Sequence, residues 1–315
     1  MIRLLLLCAT LLAVNATPAP SVPEVATGRI ERLPQIVSIH VDVRAVDVWL
    51  PADYSAAKRY DVLCMQDGQM LFDAAKSWNQ QAWNVHLAVD RPVSQGRIAD
   101  TIVVGIWNNG VHRYSEYYPQ KFLPFASDAV RRDYVERAQL GRSRADDYLR
   151  FIVKELKPAI DRRYATNPGR EHTFVMGSSM GGLVSLYAIC EYPQVFGAAA
   201  ALSTHWVGRP SAWGPPAQLQ NADLPLAAFS CLRRHLPDPA THRLYMDHGT
   251  QGLDAVYGVH QAFVDEIVRE RGFGPGNALS RVFEGTGDNE RDCSARLDIP
   301  LLFMMGCASI PDLGH

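Results

Sequence analysis

Thr173-Phe174-Val175-Met176-Gly177-Ser178-Ser179-Met180-Gly181-Gly182 lies near the middle of a 315-residue chain. Its first four residues, mostly apolar, predict a short buried strand. Gly177-Ser178-Ser179-Met180-Gly181 then matches G-x-S-x-G, and Leu183 to Glu191 carries apolar residues at helical spacing. Strand, sharp turn and helix are the context in which this motif holds a nucleophile. The turn forces its central residue, Ser179, into a strained backbone with the side chain projecting from the sheet edge. Small neighbours are needed because strand and helix pass close together, and Gly177, Gly181 and Gly182 supply them. The N–H of Met180, at the start of the helix, is placed to bind an oxyanion.

Outward from this turn, apolar segments alternate between strand and helix patterns. Ile36 to Val41 and Arg44 to Leu50 predict a strand pair ended by Pro51. Tyr60 to Met65 is a strand that turns off through Gln66-Asp67-Gly68-Gln69. Thr101 to Trp107 is another, ended by Asn108-Asn109-Gly110. Ala145 to Tyr164 predicts a long helix with Tyr148, Phe151, Ile152, Leu156 and Ile160 on one face. Strands follow at Phe196 to Leu202, His242 to Asp247 and Ala278 to Glu284, with a helix over Asp254 to Arg271. This order predicts an α/β fold: a mostly parallel sheet with helices on both faces. Ligand sites in such sheets lie beyond the C-terminal ends of the strands.

Composition bounds the rest. With 47% hydrophobic and 20% charged residues the chain can bury a sizeable core. A net charge of -2 gives no footprint for nucleic acid. The amino terminus reads as a secretory signal: Arg3, an apolar run from Leu4 to Val14, and a cleavage point after Ala16. That run is shorter than a membrane span needs, and Cys8 follows Leu7 rather than a small residue, so neither a membrane anchor nor a lipid anchor is expected. Export implies a periplasmic or extracellular protein, with no stable membrane insertion after cleavage. Residues 17–30 read as a flexible leader, 31–306 as one domain and 307–315 as a tail. Beyond the signal stand Cys64, Cys190, Cys231, Cys293 and Cys307, an odd number without C-x-x-C spacing, so neither a metal nor a redox site is indicated. Cys64 and Cys190 read as core residues, and a disulfide among the other three stays open.

A nucleophilic serine needs a base, an acid that orients the base, and oxyanion donors. In this chain order the acid follows a late strand and the base follows the last. Asp247 and Asp254 both qualify as the acid, and Asp254 could equally cap the helix that follows it. The loop expected to carry the base reads Glu284-Gly285-Thr286-Gly287-Asp288-Asn289-Glu290-Arg291 and contains no histidine.

Four segments in order resemble the putative-esterase family of α/β-hydrolases, which includes enterochelin-type siderophore esterases, feruloyl esterases and S-formylglutathione hydrolases. They are Val62 to Phe72 with its Asp-Gly-Gln-x-Leu-Phe turn; Val103-Val104-Gly105-Ile106 with Arg113, Glu116, Tyr117 and Pro119; the Ser179 turn with Tyr192-Pro193 and Phe196-Gly197; and Asp254 to Gly272 with Asp288 to Phe303. The resemblance implies an α/β-hydrolase fold and hydrolysis of a small-molecule carboxylic ester through an acyl-Ser179 intermediate, with no cofactor and no metal. It implies Met180 and Gln69 N–H groups as the oxyanion hole and Asp254 as the acid. The family's tail carries a histidine base in H-N-E-x-x-W-x-x-R-L. Here Asp288 stands at the histidine position and Cys293 at the tryptophan position. An aspartate of ordinary pKa, about 3.9, is a weak base, so the substitution implies impaired or lost turnover, or rescue by His205 or His248, both expected at the catalytic edge. The alternative is a non-catalytic hydrolase-fold protein that binds an ester-like ligand.

Other histidines are less well placed: His172 is expected at the far edge of the sheet, and His315 is on the tail. The long connection from Asn108 to Arg144 carries His112, Arg113, Tyr114, Tyr117 and Tyr118, and the aromatics beside Arg113 could hold an aromatic or anionic acyl substrate. It could equally pack onto the domain. The connection from Ser203 to Ala240 carries one helix, Leu224 to Leu236, and no large cap domain. His205, Trp206, Trp213 and His248 are further candidates for the cleft.

Overall fold

The structure, a computed structural model, describes residues 21–208 and 222–306. The expected signal segment, the tail, Trp213, Cys307 and His315 lie outside the described residues. Eight strands form one sheet: β1 Arg29–Arg32, β2 Val46–Leu50, β3 Asp61–Met65, β4 Thr101–Ile106, β5 Thr173–Ser178, β6 Ala198–Leu202, β7 Arg243–Gln251 and β8 Ala278–Gly287. Their spatial order is β1-β2-β4-β3-β5-β6-β7-β8. The β1–β2 and β2–β4 pairs are antiparallel and every other pair is parallel.

The strands alternate apolar residues toward both faces because both are covered. Val62, Cys64, Ile102, Val104 and Val175 enter one core, while Leu63, Met65, Val103, Phe174 and Met176 enter the other. Over the first lie α2 Arg113–Tyr117, α4 Ala145–Arg150 continuing through a π-turn into α5 Lys157–Arg163, α6 Met180–Glu191, α7 Asp223–His235 and α8 Gly258–Glu270. Helix α3, Asp128–Arg137, sits in the link between α2 and α4. Over the second face lie α1 Val85–Ser94, α9 Glu290–Ala295 and α10 Asp298–Met305. The predicted mostly parallel α/β architecture is thus present.

Chain order sets the site. From β3 the chain steps to β4 on one side, then crosses back to β5 on the other side of β3. The strand order reverses there, so the loops leaving the C-terminal ends of β3 and β5 diverge and open a crevice. Asp67 and Gln69 follow β3, and Ser179 follows β5.

Three expectations need correction. Ile36 to Val41 is not a strand. The Ser38 hydroxyl accepts the amides of His40 and Val41, which turns the backbone away from a ladder, and Val37 and Ile39 face solvent. The edge partner of β2 is instead β1, whose first two residues fall within the expected leader. The leader is also pinned elsewhere: Trp49 donates its indole N–H to the Thr27 carbonyl at 2.8 Å. Finally, β7 continues past Asp247 to Gln251, so His248 is a strand residue. Among the described residues no helix is long and apolar enough to cross a membrane, and Cys64, Cys190, Cys231 and Cys293 are free thiols.

Candidate active site

Ser179 has φ 57° and ψ −122°, a conformation L-residues avoid. It is held there from both sides. Its N–H donates to the Leu202 carbonyl at 2.9 Å, and its carbonyl accepts from His205 N at 3.2 Å. Strand and helix approach so closely that a Cβ on Gly177 would lie 2.6 Å from the Gly181 backbone. The side chain is partly exposed, at the head of α6, where the first helical N–H groups have no intrahelical acceptor. Met180 N–H is one of these.

The loop after β3 supplies the facing wall. Asp67 takes the left-handed conformation, φ 55°. Arg113 from α2 grips its carboxylate in a fork, at 2.8 and 2.7 Å, and Asn108 donates to it at 2.6 Å. Tyr117 accepts the Asp67 N–H through its phenol oxygen at 3.2 Å, with the Arg113 guanidinium 5.1 Å from its ring centre. Gln69 is fixed by its own side chain, which accepts from Asn108 N at 3.2 Å. The α2 helix is anchored in turn by Glu116, paired in a buried fork with Arg44 at 2.8 and 2.6 Å. The Arg113-x-x-Glu116-Tyr117 motif therefore positions the loop that carries the Gln69 amide.

The late loops separate the two candidate acids. Asp247 is fully buried and occupied: both carboxylate oxygens receive Arg296, at 3.0 and 3.1 Å, and Tyr245 and Ser203 N donate as well. Burial raises its pKa against the pull of Arg296. Asp254 sits in the turn Gly252–Val256 before α8. Its Oδ2 accepts from Ser203 Oγ at 2.8 Å and from Gly249 N at 2.6 Å. Its Oδ1 is buried with no partner. Burial raises its pKa too.

Asp288, just past the end of β8, stands beside Ser178 and Ser179. It accepts from Ser178 Oγ at 2.8 Å and stands near the Ser179 side chain, whose hydroxyl favours its charged form. Burial, and the nearby Asp254 charge, push its carboxyl up to about 6. Tyr257, fully buried one helical turn after Asp254, lies near Ser179, and its phenol meets His205 Nδ1 at 2.5 Å. Burial and the charge of Asp288 hold that phenol well above its usual range.

A cavity of about 630 Å³ opens beside Ser179, lined by Gln69, Trp78, Trp83, Arg113, Tyr114 and Asp288 among others. Of the expected lining residues among those described, Arg113 and Tyr114 are there, and the pairing of Arg113 with Asp67 means it offers no free charge to an anionic acyl group. Tyr117 is buried behind it. Trp206 is a core residue bonded to Gln261 at 2.9 Å. His205 is buried on Tyr257, and His248 is buried with Nδ1 on its neighbour's carbonyl at 2.6 Å. All three side chains are buried. His172 pairs with Asp61 at 2.7 Å at the far edge, as expected. Tyr257, Ser178, Ser203 and Arg296 were missed. Tyr257 has a local signal in its spacing of three from Asp254, and Arg296 stands at the arginine of the H-N-E-x-x-W-x-x-R-L pattern. Among the described residues there is no cluster of three or more His, Cys, Asp or Glu side chains that could hold a metal ion.

Solved structures share this fold. A ferulic acid esterase superposes with a TM-score of 0.63 over 89% of this chain and 98% of its own, at 19% identity. The enterobactin esterase FES from Shigella flexneri gives 0.62 over 90% and 60%, at 17% identity. The fold is that of the α/β-hydrolases. In sequence the chain is similar to the ferri-bacillibactin esterase BesA of Bacillus subtilis, 28% identical over 155 residues, 49% of this chain and 50% of BesA. It is also similar to the uncharacterized protein YjcH of the same organism, 27% over 151 residues, 48% and 51%. The chain spans about half the length of these curated relatives. Residues 41–273, most of the chain, match the family model described as putative esterase, and the chain belongs to that family.

Proposed function

We propose that this chain hydrolyses small-molecule carboxylic esters through an acyl-Ser179 intermediate. The observation that carries this reading is the strained Ser179 backbone at the head of α6, facing a cavity at the strand-order reversal. Ser179 Oγ attacks the ester carbonyl. The N–H groups of Met180 and Gln69 receive the negative oxygen that forms. Asp254 lies near Asp288, and its charge raises the proton affinity of that carboxylate. The aromatic rings of Trp78, Trp83 and Tyr114 give the ester an apolar wall. The motif Arg3 to Ala16 supports export to the periplasm or beyond.

One observation favours a second reading, binding without turnover: an aspartate, not a histidine, stands beside Ser179. A fluorophosphonate probe and p-nitrophenyl acetate separate the two. The hydrolase reading expects the probe on Ser179 and turnover that Ser179→Ala abolishes. Equal background rates for wild type and Ser179→Ala would leave only the binding reading.

A further inference from the structure

We infer that Asp288 is the general base of this site, so that the reaction runs on a serine–carboxylate pair rather than on an imidazole. The inference rests on the hydrolase reading above and adds the proton's path.

Three observations lead here. First, placement: Asp288 lines the same cavity as Ser179 and is held from behind by Ser178 Oγ, the residue next to Ser179, at 2.8 Å. One oxygen is thus oriented by a residue of the strand that carries the nucleophile. Second, the surroundings make this carboxylate unusual. Asp254, following β7, repels its charge, and Tyr257 packs beside it. From α9, Cys293 lies below, near the Ser178 hydroxyl. From α2, Arg113 is the cation that faces it, largely neutralised by Asp67. Glu290 at the rim is occupied with Asn79 at 2.6 Å. Burial and Asp254 therefore outweigh Arg113, and the carboxyl keeps its proton up to about pH 6. A base whose pKa lies near the working pH both accepts and returns a proton well. Third, the histidines expected to substitute are placed otherwise. His248 is bonded to its own strand, and the buried His205 ring meets the Tyr257 phenol through Nδ1 at 2.5 Å.

The steps balance as follows. The Ser179 Oγ–H proton passes to an Asp288 oxygen as the Oγ–C bond forms and the carbonyl pair moves onto the oxyanion. On collapse the C–O bond to the alcohol breaks, and the Asp288 carboxylic acid protonates the departing alkoxide. Water then repeats the sequence, with Asp288 taking its proton and returning it to Ser179 Oγ as the acid is released.

The test uses the full chain and p-nitrophenyl acetate. Asp288→Asn preserves shape and the acceptor for Ser178, and thermal melting checks its fold. It should lower kcat/KM by about 10²–10⁴-fold, whereas His205→Asn and Tyr257→Phe should change it far less. The wild-type rate should rise with pH through one ionisation near 6. Its midpoint should barely move on warming, as for a carboxylate; an imidazole midpoint falls steeply. Ser179-dependent turnover that survives Asp288→Asn within about tenfold, or that is lost in His205→Asn instead, overturns the inference and leaves the hydrolase reading standing. Absence of any Ser179-dependent turnover overturns both.

Discussion

The placement of Asp288 has an energetic consequence that can be measured without a substrate. In the folded chain its carboxyl keeps its proton up to about pH 6, while an unfolded aspartate releases it near 3.9. Between those values the folded state binds more protons, so this group's contribution to stability is full at low pH and is lost as pH rises through 6. The rise from 3.8 to about 6, at about 1.4 kcal/mol per pH unit, amounts to about 3 kcal/mol. Because the side chain is half-buried at the cavity rim, solvent screening reduces this to about 1–2 kcal/mol. Asp288→Asn removes the titration and keeps an oxygen for the Ser178 hydroxyl. The variant should match wild type near pH 4 and exceed it by that amount near pH 7.5, raising the thermal midpoint by a few degrees. Denaturant melts of both proteins at the two pH values give the comparison. A gain that is the same at both pH values would show that the carboxyl titrates alike in the folded and unfolded states, and a loss at the higher one that the fold stabilises its charge; either would refute the electrostatic argument. A gain in stability paired with a loss of turnover would mark Asp288 as a strained functional group.

Further outcomes follow from named contacts. Gly177→Ala drives a Cβ to 2.6 Å from the Gly181 backbone; it should cost about 1–3 kcal/mol and abolish fluorophosphonate labelling of Ser179. Arg44→Met strands Glu116 in the core, which should cost about 3–5 kcal/mol in a denaturant melt and loosen the Asp67 loop. The two candidate acids should separate by readout. Asp247→Asn leaves the buried Arg296 guanidinium half-paired and should lower the melting temperature markedly. Asp254→Asn should shift the acid limb of the pH–rate profile to lower pH, because it removes the charge that raises Asp288.

Much of this was legible in the chain itself. The 173–182 turn, its flanking strand and helix, and the alternation of apolar strands with helices depend on neighbours a few residues apart. Local spacing therefore suffices to place Ser179 and to establish a parallel sheet. The mismatch at Asp288 was equally visible as a letter in the sequence. Local patterning also misled where a short-range competitor intervened, as at Ser38, whose hydroxyl diverts an apparently alternating strand.

Tertiary structure decided what depends on residues far apart in sequence. Asp247 and Asp254 look alike in the chain, but Arg296 lies 49 residues from Asp247 and occupies it, while Asp254 keeps one buried oxygen without a partner and acts on Asp288 through its charge. Arg113 reads as a free cation until Asp67, 46 residues away, closes on it. The proton affinity of Asp288 is set by burial and by a carboxylate from another loop. Charge and desolvation act through space, and sequence order does not record those distances.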